Sequence, residues 1–243
     1  MPYVPSVVLV HGGFLGPWLW EDTQRILESR GVRSVTPDLP SVGEGMGDLE
    51  ADVICVVKAL EAVGPSVLCG HSYGGLVVTQ AAADSAVEVT RLAYFAAAAP
   101  DEGQSMQALA TSLGIADSDG DGDGDGGGEG EEVVVLPDGR IQLTAATARA
   151  SLFHDCTVER AEEAISLLRP INPATSTQPV TQAAWRHIPA TLIEVADDRL
   201  PKLVCSAFDS TPHDSLSIPT GHCPQWSRPE LVADILSELV LAK

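Results

Sequence analysis

The sequence predicts an α/β fold, a mostly parallel, doubly wound sheet with an inserted cap. Three observations carry that expectation. Short apolar runs alternate with stretches of helical periodicity over residues 6–97 and again over 190–241. A Gly-rich strand-turn-helix, Val67-Leu68-Cys69-Gly70-His71-Ser72-Tyr73-Gly74-Gly75, lies in the middle of the first block. Between the blocks, over 100–187, the alternation breaks, which assigns 1–99 and 188–243 to the core and 100–187 to a cap.

Ser6–Val10 is continuously apolar, as a strand covered on both faces must be. His11-Gly12-Gly13-Phe14 follows, and Gly16-Pro17-Trp18 opens a helix to about Arg30. A second strand is expected over 31–36, ended by Pro37. Asp48 is a fitting N-cap for a helix to Ala62 with Leu49, Val53, Val56, Val57 and Leu60 at helical spacing. Ser66–Cys69 is the third strand, its following helix runs to about Ala83, and Val89–Ala97 is the fourth strand.

In the cap, a helix is expected within 101–113, a hairpin from Val133–Leu136 and Arg140–Leu143 around Pro137-Asp138-Gly139, and helices over 145–153 and 158–168. Asp117 to Glu132 holds eight acids among glycines and nothing apolar, so it is expected to be a disordered loop. Asp121, Asp123, Asp125, Gly126 and Glu132 satisfy the spacing of a calcium loop. A Gly-Asp repeat does so automatically, and the flanking amphipathic helices are missing, so no metal is expected. Ala190–Val195 restores the rhythm as a strand. A helix around 202–207, a short strand near 216–218 and an amphipathic helix over 228–241 complete the chain.

The 243 residues suit one large domain, and the formal charge of −20 disfavours nucleic acid as a partner. Five cysteines without C-x-x-C spacing fit reduced thiols. The N-terminal residues lack a basic n-region and no run has membrane-span length, so a soluble cytoplasmic enzyme is expected, with no membrane partner.

Glycines two before and two after Ser72 allow a turn so sharp that the serine stands alone at its tip with the Tyr73 amide beside it. A serine hydroxyl is a weak nucleophile without a base, and the base needs a carboxylate to orient it. His222, in Gly-His-x-Pro between the last strand and last helix, is the expected base. Asp198, just after the preceding strand, is favoured as the acid over its neighbour Asp197, with Asp101 a third candidate. Strand ends in such sheets converge at the carboxyl edge, so these residues are expected to meet there. The amides of Gly13 and Tyr73 are the expected oxyanion donors, with His11 bracing the loop that carries Gly13 and His71 structural. His154, His187 and His213 carry no motif. Phe14, Trp18, Phe153 and Trp185 are candidates to line a substrate pocket. No cofactor is called for.

With these residues assembled, the chain resembles the α/β-hydrolase superfamily, in particular its small esterase and hydroxynitrile-lyase-like branch. The resemblance rests on L-V-H-G-G-F-L-G-P-W-L-W, G-H-S-Y-G-G, Y-F-A-A-A-A-P-D-E-G and G-H-C-P-Q-W, and on the order Ser72, Asp198, His222. The acidic Gly-rich loop departs from the family pattern, and the interval from Asp198 to His222 is short for it. The cyanohydrin lyases of the branch carry Thr after the first His and Lys after the last. Gly12 and Cys223 stand there instead. The resemblance therefore implies a serine hydrolase acting on a small carboxylic ester. A thioesterase, lactonase or C–C hydrolase would use the same residues, and a non-catalytic small-molecule-binding homologue is the alternative outside catalysis.

Overall fold

A computed structural model describes residues 6–115 and 132–241. The formal calcium-loop residues Asp121, Asp123, Asp125 and Gly126, and the expected disorder over 117–131, lie outside the described residues.

Strand β1 (Ser6–Val10) is buried along its whole length. Its side chains alternate between two cores: Val7 and Leu9 enter one, Val8 and Val10 the other. Helix α1 (Glu21–Ser29), strand β2 (Ser34–Val35), helix α2 (Leu49–Val63), strand β3 (Ser66–His71), helix α3 (Gly74–Asp84) and strand β4 (Val89–Phe95) follow in chain order. Next come α4 (Met106–Ser112), the antiparallel hairpin of β5 (Val133–Val135) and β6 (Ile141–Leu143), α5 (Ala145–Ser151) and α6 (Val158–Ser166). Strand β7 (Ala190–Val195), α7 (Ser206–Asp209), strand β8 (Asp214–Ile218), α8 (Pro224–Ser227) and α9 (Pro229–Leu241) close the chain. The six-stranded sheet has the order β2-β1-β3-β4-β7-β8 with every neighbouring pair parallel. Helices α1 and α9 cover the Val7 face, through Leu27, Ile235 and Leu236. Helices α2 and α3 cover the other, through Val53, Val56, Leu60 and Leu76. This is the doubly wound arrangement expected from the sequence.

Several boundaries differ, each for a local reason. Strand β2 is reduced to two residues before Pro37. Strand β4 ends at Phe95 rather than Ala97, because Ala96 turns to φ 44°. The helix expected around 202–207 begins only after Cys205: Leu203 O accepts from Ala99 N at 2.8 Å and Ala99 O from Cys205 N at 3.0 Å, which holds 203–205 extended beside the exit of β4. Strand β8 starts earlier than expected, at Asp214; the last helix matches its expected range as α9, and a short additional helix, α8, precedes it, ending at Ser227.

The segment between β4 and β7 has no separate apolar core. Ala148, Leu152, Phe153, Ala161 and Ala164 join the α1/α9 side, and Val180, Ala184 and Trp185 join the α2/α3 side. It is stitched to the loops at the carboxyl edge by backbone bonds, among them Arg169 N to Phe14 O at 2.9 Å, Gly43 N to Pro170 O at 2.8 Å and Asn172 N to Ser41 O at 2.9 Å.

The turn after β3 leaves no room for side chains at its glycines. A β-carbon on Gly70 would stand 2.6 Å from Gly74 O, one on Gly74 would stand 2.8 Å from His11 O, and one on Gly75 would collide with Ala98 O. Gly75→Ala is therefore expected to destabilise the protein by about 1–3 kcal/mol through forced displacement of the β4 exit. Urea unfolding checks this, and an unchanged midpoint would show that the exit yields freely.

Candidate active site

Ser72 sits at the tip of that turn with φ 54°, one of three non-glycine residues among the described ones with positive φ. Such a conformation costs free energy and persists only where its surroundings enforce it. Here they do: Ser72 O accepts from Gly75 N at 3.0 Å and from Ala98 N at 3.1 Å, and Ser72 N reaches Phe95 O at 3.4 Å. The N-terminus of α3 lies immediately behind, and the helix dipole gives the region a positive potential.

His222 follows β8 and is 3% exposed. Its Nδ1 lies 2.9 Å from Asp198 Oδ2, while Asp198 Oδ1 accepts from Leu200 N at 2.9 Å. With Nδ1–H donating to the carboxylate, Nε2 carries the lone pair. That atom is buried without a hydrogen-bond partner among the described residues, and His222 borders the same two cavities as Ser72. Asp197, one residue away, is exposed on the outside of the turn, with its backbone N bonded to Thr220 O at 3.1 Å. Asp101 is taken by the Arg186 guanidinium, at 2.6 and 2.7 Å from Nη2. Of the three acids considered from the sequence, Asp198 is the one at the histidine.

The backbone around His222 is held from two sides. His71 Nε2 donates to His222 O at 2.8 Å, and burial, reinforced by the neighbouring His222, keeps the His71 ring neutral by pushing its pKa well below the ordinary value. Asp155 accepts from Gly221 N and from Ser227 Oγ, both at 2.8 Å.

On the opposite side of Ser72, His11 is fully buried after β1. Leu39 N donates to its Nε2 at 3.2 Å, so Nδ1 bears the proton and donates to Gly12 O at 2.8 Å. That carbonyl belongs to the peptide whose N–H is Gly13's, so the histidine fixes the plane of the expected oxyanion donor. A β-carbon at Gly13 would lie 3.9 Å from Tyr73 Cβ, which puts the two expected donors side by side, and one at Gly12 would lie 2.8 Å from Ser72 Cβ. Phe14 takes φ 63°, and its turn is pinned by Arg169, which also donates to Leu15 O at 2.9 and 3.1 Å and pairs with Asp38 at 2.7 Å.

Two cavities meet at Ser72 and His222. The larger, about 820 Å³, opens beneath the segment between β4 and β7 and is walled by Phe14, Ile141, Leu143, Ala146, Leu152 and Ile171, with Gly13 and Tyr73 at its floor. The smaller, about 420 Å³, runs past Ala96, Ala97, Ile193 and Val204 towards Lys202. Met106, Leu200 and Leu203 stand between the two. Of the four aromatics expected to line a pocket, only Phe14 does so. Trp18 packs edge-on against Trp226 at 5.1 Å, and Phe153 is 1% exposed inside the α1/α9 core. Trp185 donates to Pro100 O at 2.8 Å and packs on Phe208. Aliphatic side chains form the walls, while Phe153 and Trp185 pack the segment between β4 and β7 into the two cores.

Sequence reasoning passed over Asp155, Arg169 and Asp52. The first two act through backbone groups far away in sequence, which no spacing reveals. Asp52 did leave a signal: it lies three residues after Leu49 and four before Val56, on the apolar stripe of α2. Among the described residues, no group of His, Cys, Asp and Glu is placed to hold a metal ion, all five cysteines are unpaired, and no helix is long and apolar enough to cross a membrane.

The model of the family described as "Alpha/beta hydrolase family" matches residues 7–235. A "Carbendazim hydrolyzing esterase" of Nocardioides sp. is 37% identical over 112 residues, 43% of this chain and 46% of that protein, so the match spans under half of its length. A "Probable hydrolase R7" of Phoma sp. is 26% identical over 255 residues, covering 97% of this chain and 98% of that one. Among solved structures, a pyrethroid hydrolase from Sphingobium faniae superimposes with a TM-score of 0.77 at 22% identity, over 99% of this chain and 98% of that chain.

Proposed function

The chain belongs to the alpha/beta hydrolase family, and from that premise we propose that it is a serine hydrolase cleaving a small, uncharged carboxylic ester through an acyl-enzyme on Ser72. The observation that carries this reading is the His222–Asp198 pair, 2.9 Å apart, with the free Nε2 of His222 buried beside the cavities that Ser72 borders.

Ser72 Oγ attacks the ester carbonyl carbon while His222 Nε2 takes the hydroxyl proton, and Asp198 stabilises the imidazolium. The oxyanion forms against the amides of Gly13 and Tyr73, already fixed by His11 and by the bonds to Ser72 O. The C–O bond to the alcohol breaks as His222 returns the proton to the departing oxygen. Water, activated by the same nitrogen, then attacks the acyl carbon and frees Ser72. Side chains and amides perform every step. Residues 100–187 act as the cap that shapes the larger cavity. Its apolar walls favour an ester whose acid or alcohol part is apolar, and relatives named as hydrolases and esterases support the reaction class. Gly12 and Cys223 offer no hydroxyl or ammonium at the positions a cyanohydrin lyase would use, which favours hydrolysis. Five unpaired cysteines favour a reducing, cytoplasmic setting.

The test is covalent labelling. A fluorophosphonate is expected to add once per chain, on the peptide containing Ser72, and to stop turnover of p-nitrophenyl acetate in step with labelling. A folded protein that neither labels nor turns over this ester, a thioester or a lactone would instead be a binding homologue.

A further inference from the structure

Behind the turn that carries Ser72 lies a buried carboxylate that the reaction above does not use. Asp52, on α2, is fully buried, as is Ser41, and Tyr73 is 5% exposed. Ser41 N donates to Asp52 Oδ1 at 2.9 Å, and Ser41 Oγ and Tyr73 OH donate to Oδ2 at 2.6 and 2.8 Å. Among the described residues no lysine or arginine forms an ion pair with Asp52. Three donors and no lysine or arginine meet this carboxyl group; burial raises its pKa, and the hydrogen bonds from Ser41 and Tyr73 oppose the rise. A buried polar group costs desolvation that its hydrogen bonds only offset. Its place in the fold is therefore better explained by what it holds.

What it holds is the residue following Ser72. We propose that Asp52 is a positioning residue for the oxyanion site: by anchoring the Tyr73 phenol it fixes the Tyr73 amide at the reacting centre. The proposal rests on the reading of Ser72 as nucleophile and goes beyond it. The carbonyl side of the Ser72–Tyr73 peptide is already pinned by Gly75 N and Ala98 N, and Asp52 pins the other side through the side chain. The same loop serves the second donor. Leu39 N, two residues before Ser41, sets the tautomer of His11, which in turn orients the Gly12–Gly13 peptide. One segment, 39–41, thus braces both amides from behind, at a distance from substrate.

The test compares two Tyr→Phe variants. Tyr94 is another buried tyrosine, its hydroxyl 2.8 Å from Thr79 Oγ1. Tyr73→Phe and Tyr94→Phe each delete one buried hydroxyl and are expected to lower Tm comparably. Only Tyr73→Phe is expected to lower kcat for p-nitrophenyl butyrate, by about tenfold at unchanged KM, a fraction of the loss from removing an oxyanion donor altogether. Asp52→Asn is expected to lower kcat at least as much, and adding Tyr73→Phe to it to lower kcat no further, since both break one connection. The rate of fluorophosphonate labelling should fall in parallel. With an active wild type, a Tyr73→Phe kcat within twofold of that of Tyr94→Phe, or a loss seen only in KM, overturns the positioning role alone. A wild type that neither labels nor turns over overturns the hydrolase reading and the positioning role with it.

Discussion

Ser72→Ala is expected to lower kcat/KM for p-nitrophenyl butyrate by about 10⁴-fold or more, leaving the residual rate that oxyanion stabilisation and binding provide. The fold should survive, because the turn is held by the backbone of Ser72 and not by its hydroxyl. Ser72→Gly should be as inactive and yet more stable than wild type, by about 1 kcal/mol, since glycine adopts φ 54° without strain. Steady-state kinetics with thermal unfolding separates the two effects. Retention of more than a tenth of wild-type activity by Ser72→Ala would remove the serine from the chemistry.

Asp198→Asn is expected to cost about 10⁴-fold in kcat. An amide in place of Oδ2 can present N–H to His222 Nδ1, which favours the tautomer with the proton on Nε2 and so removes the lone pair that the proposed mechanism uses. The adjacent Asp197→Asn is the matched control. Its side chain is exposed and its turn is held through the backbone, so kcat should stay within about twofold. Equal losses in the two variants would mean that the turn as a whole, rather than one carboxylate, supports His222.

Much of this was legible in the chain. The turn at Ser72 could be read because strain leaves a mark: only glycines tolerate the approach of Gly70 to Gly74 and of Gly75 to Ala98, so they must be written at fixed offsets. The strands could be read because a sheet covered on both faces needs unbroken apolar runs such as Ser6–Val10. Asp198 is favoured over Asp197 by its place before Arg199 after the strand, but what sets the two apart, the 2.9 Å contact to His222, is a matter of side-chain direction on the turn. Extended residues 203–205 escaped because their conformation is imposed by Ala99, a hundred residues earlier. Trp18, Phe153 and Trp185 were misplaced because an aromatic suits a cavity wall and a core equally well. What separates the two is partner geometry, such as the Pro100 carbonyl that receives the Trp185 N–H.

The two cavities at Ser72 divide the molecule's labour in a way that bears on how it can be altered. The groups proposed to perform chemistry stand at the ends of β1, β3, β7 and β8, locked by backbone bonds of the sheet. The walls of the larger cavity are drawn mostly from 133–176, whose Ile141, Leu143 and Ala146 make no bond to Asp198 or His222. Preference and reactivity are therefore inherited from different stretches of chain. A mutational library confined to those wall positions can explore new esters while the catalytic framework stays as it is.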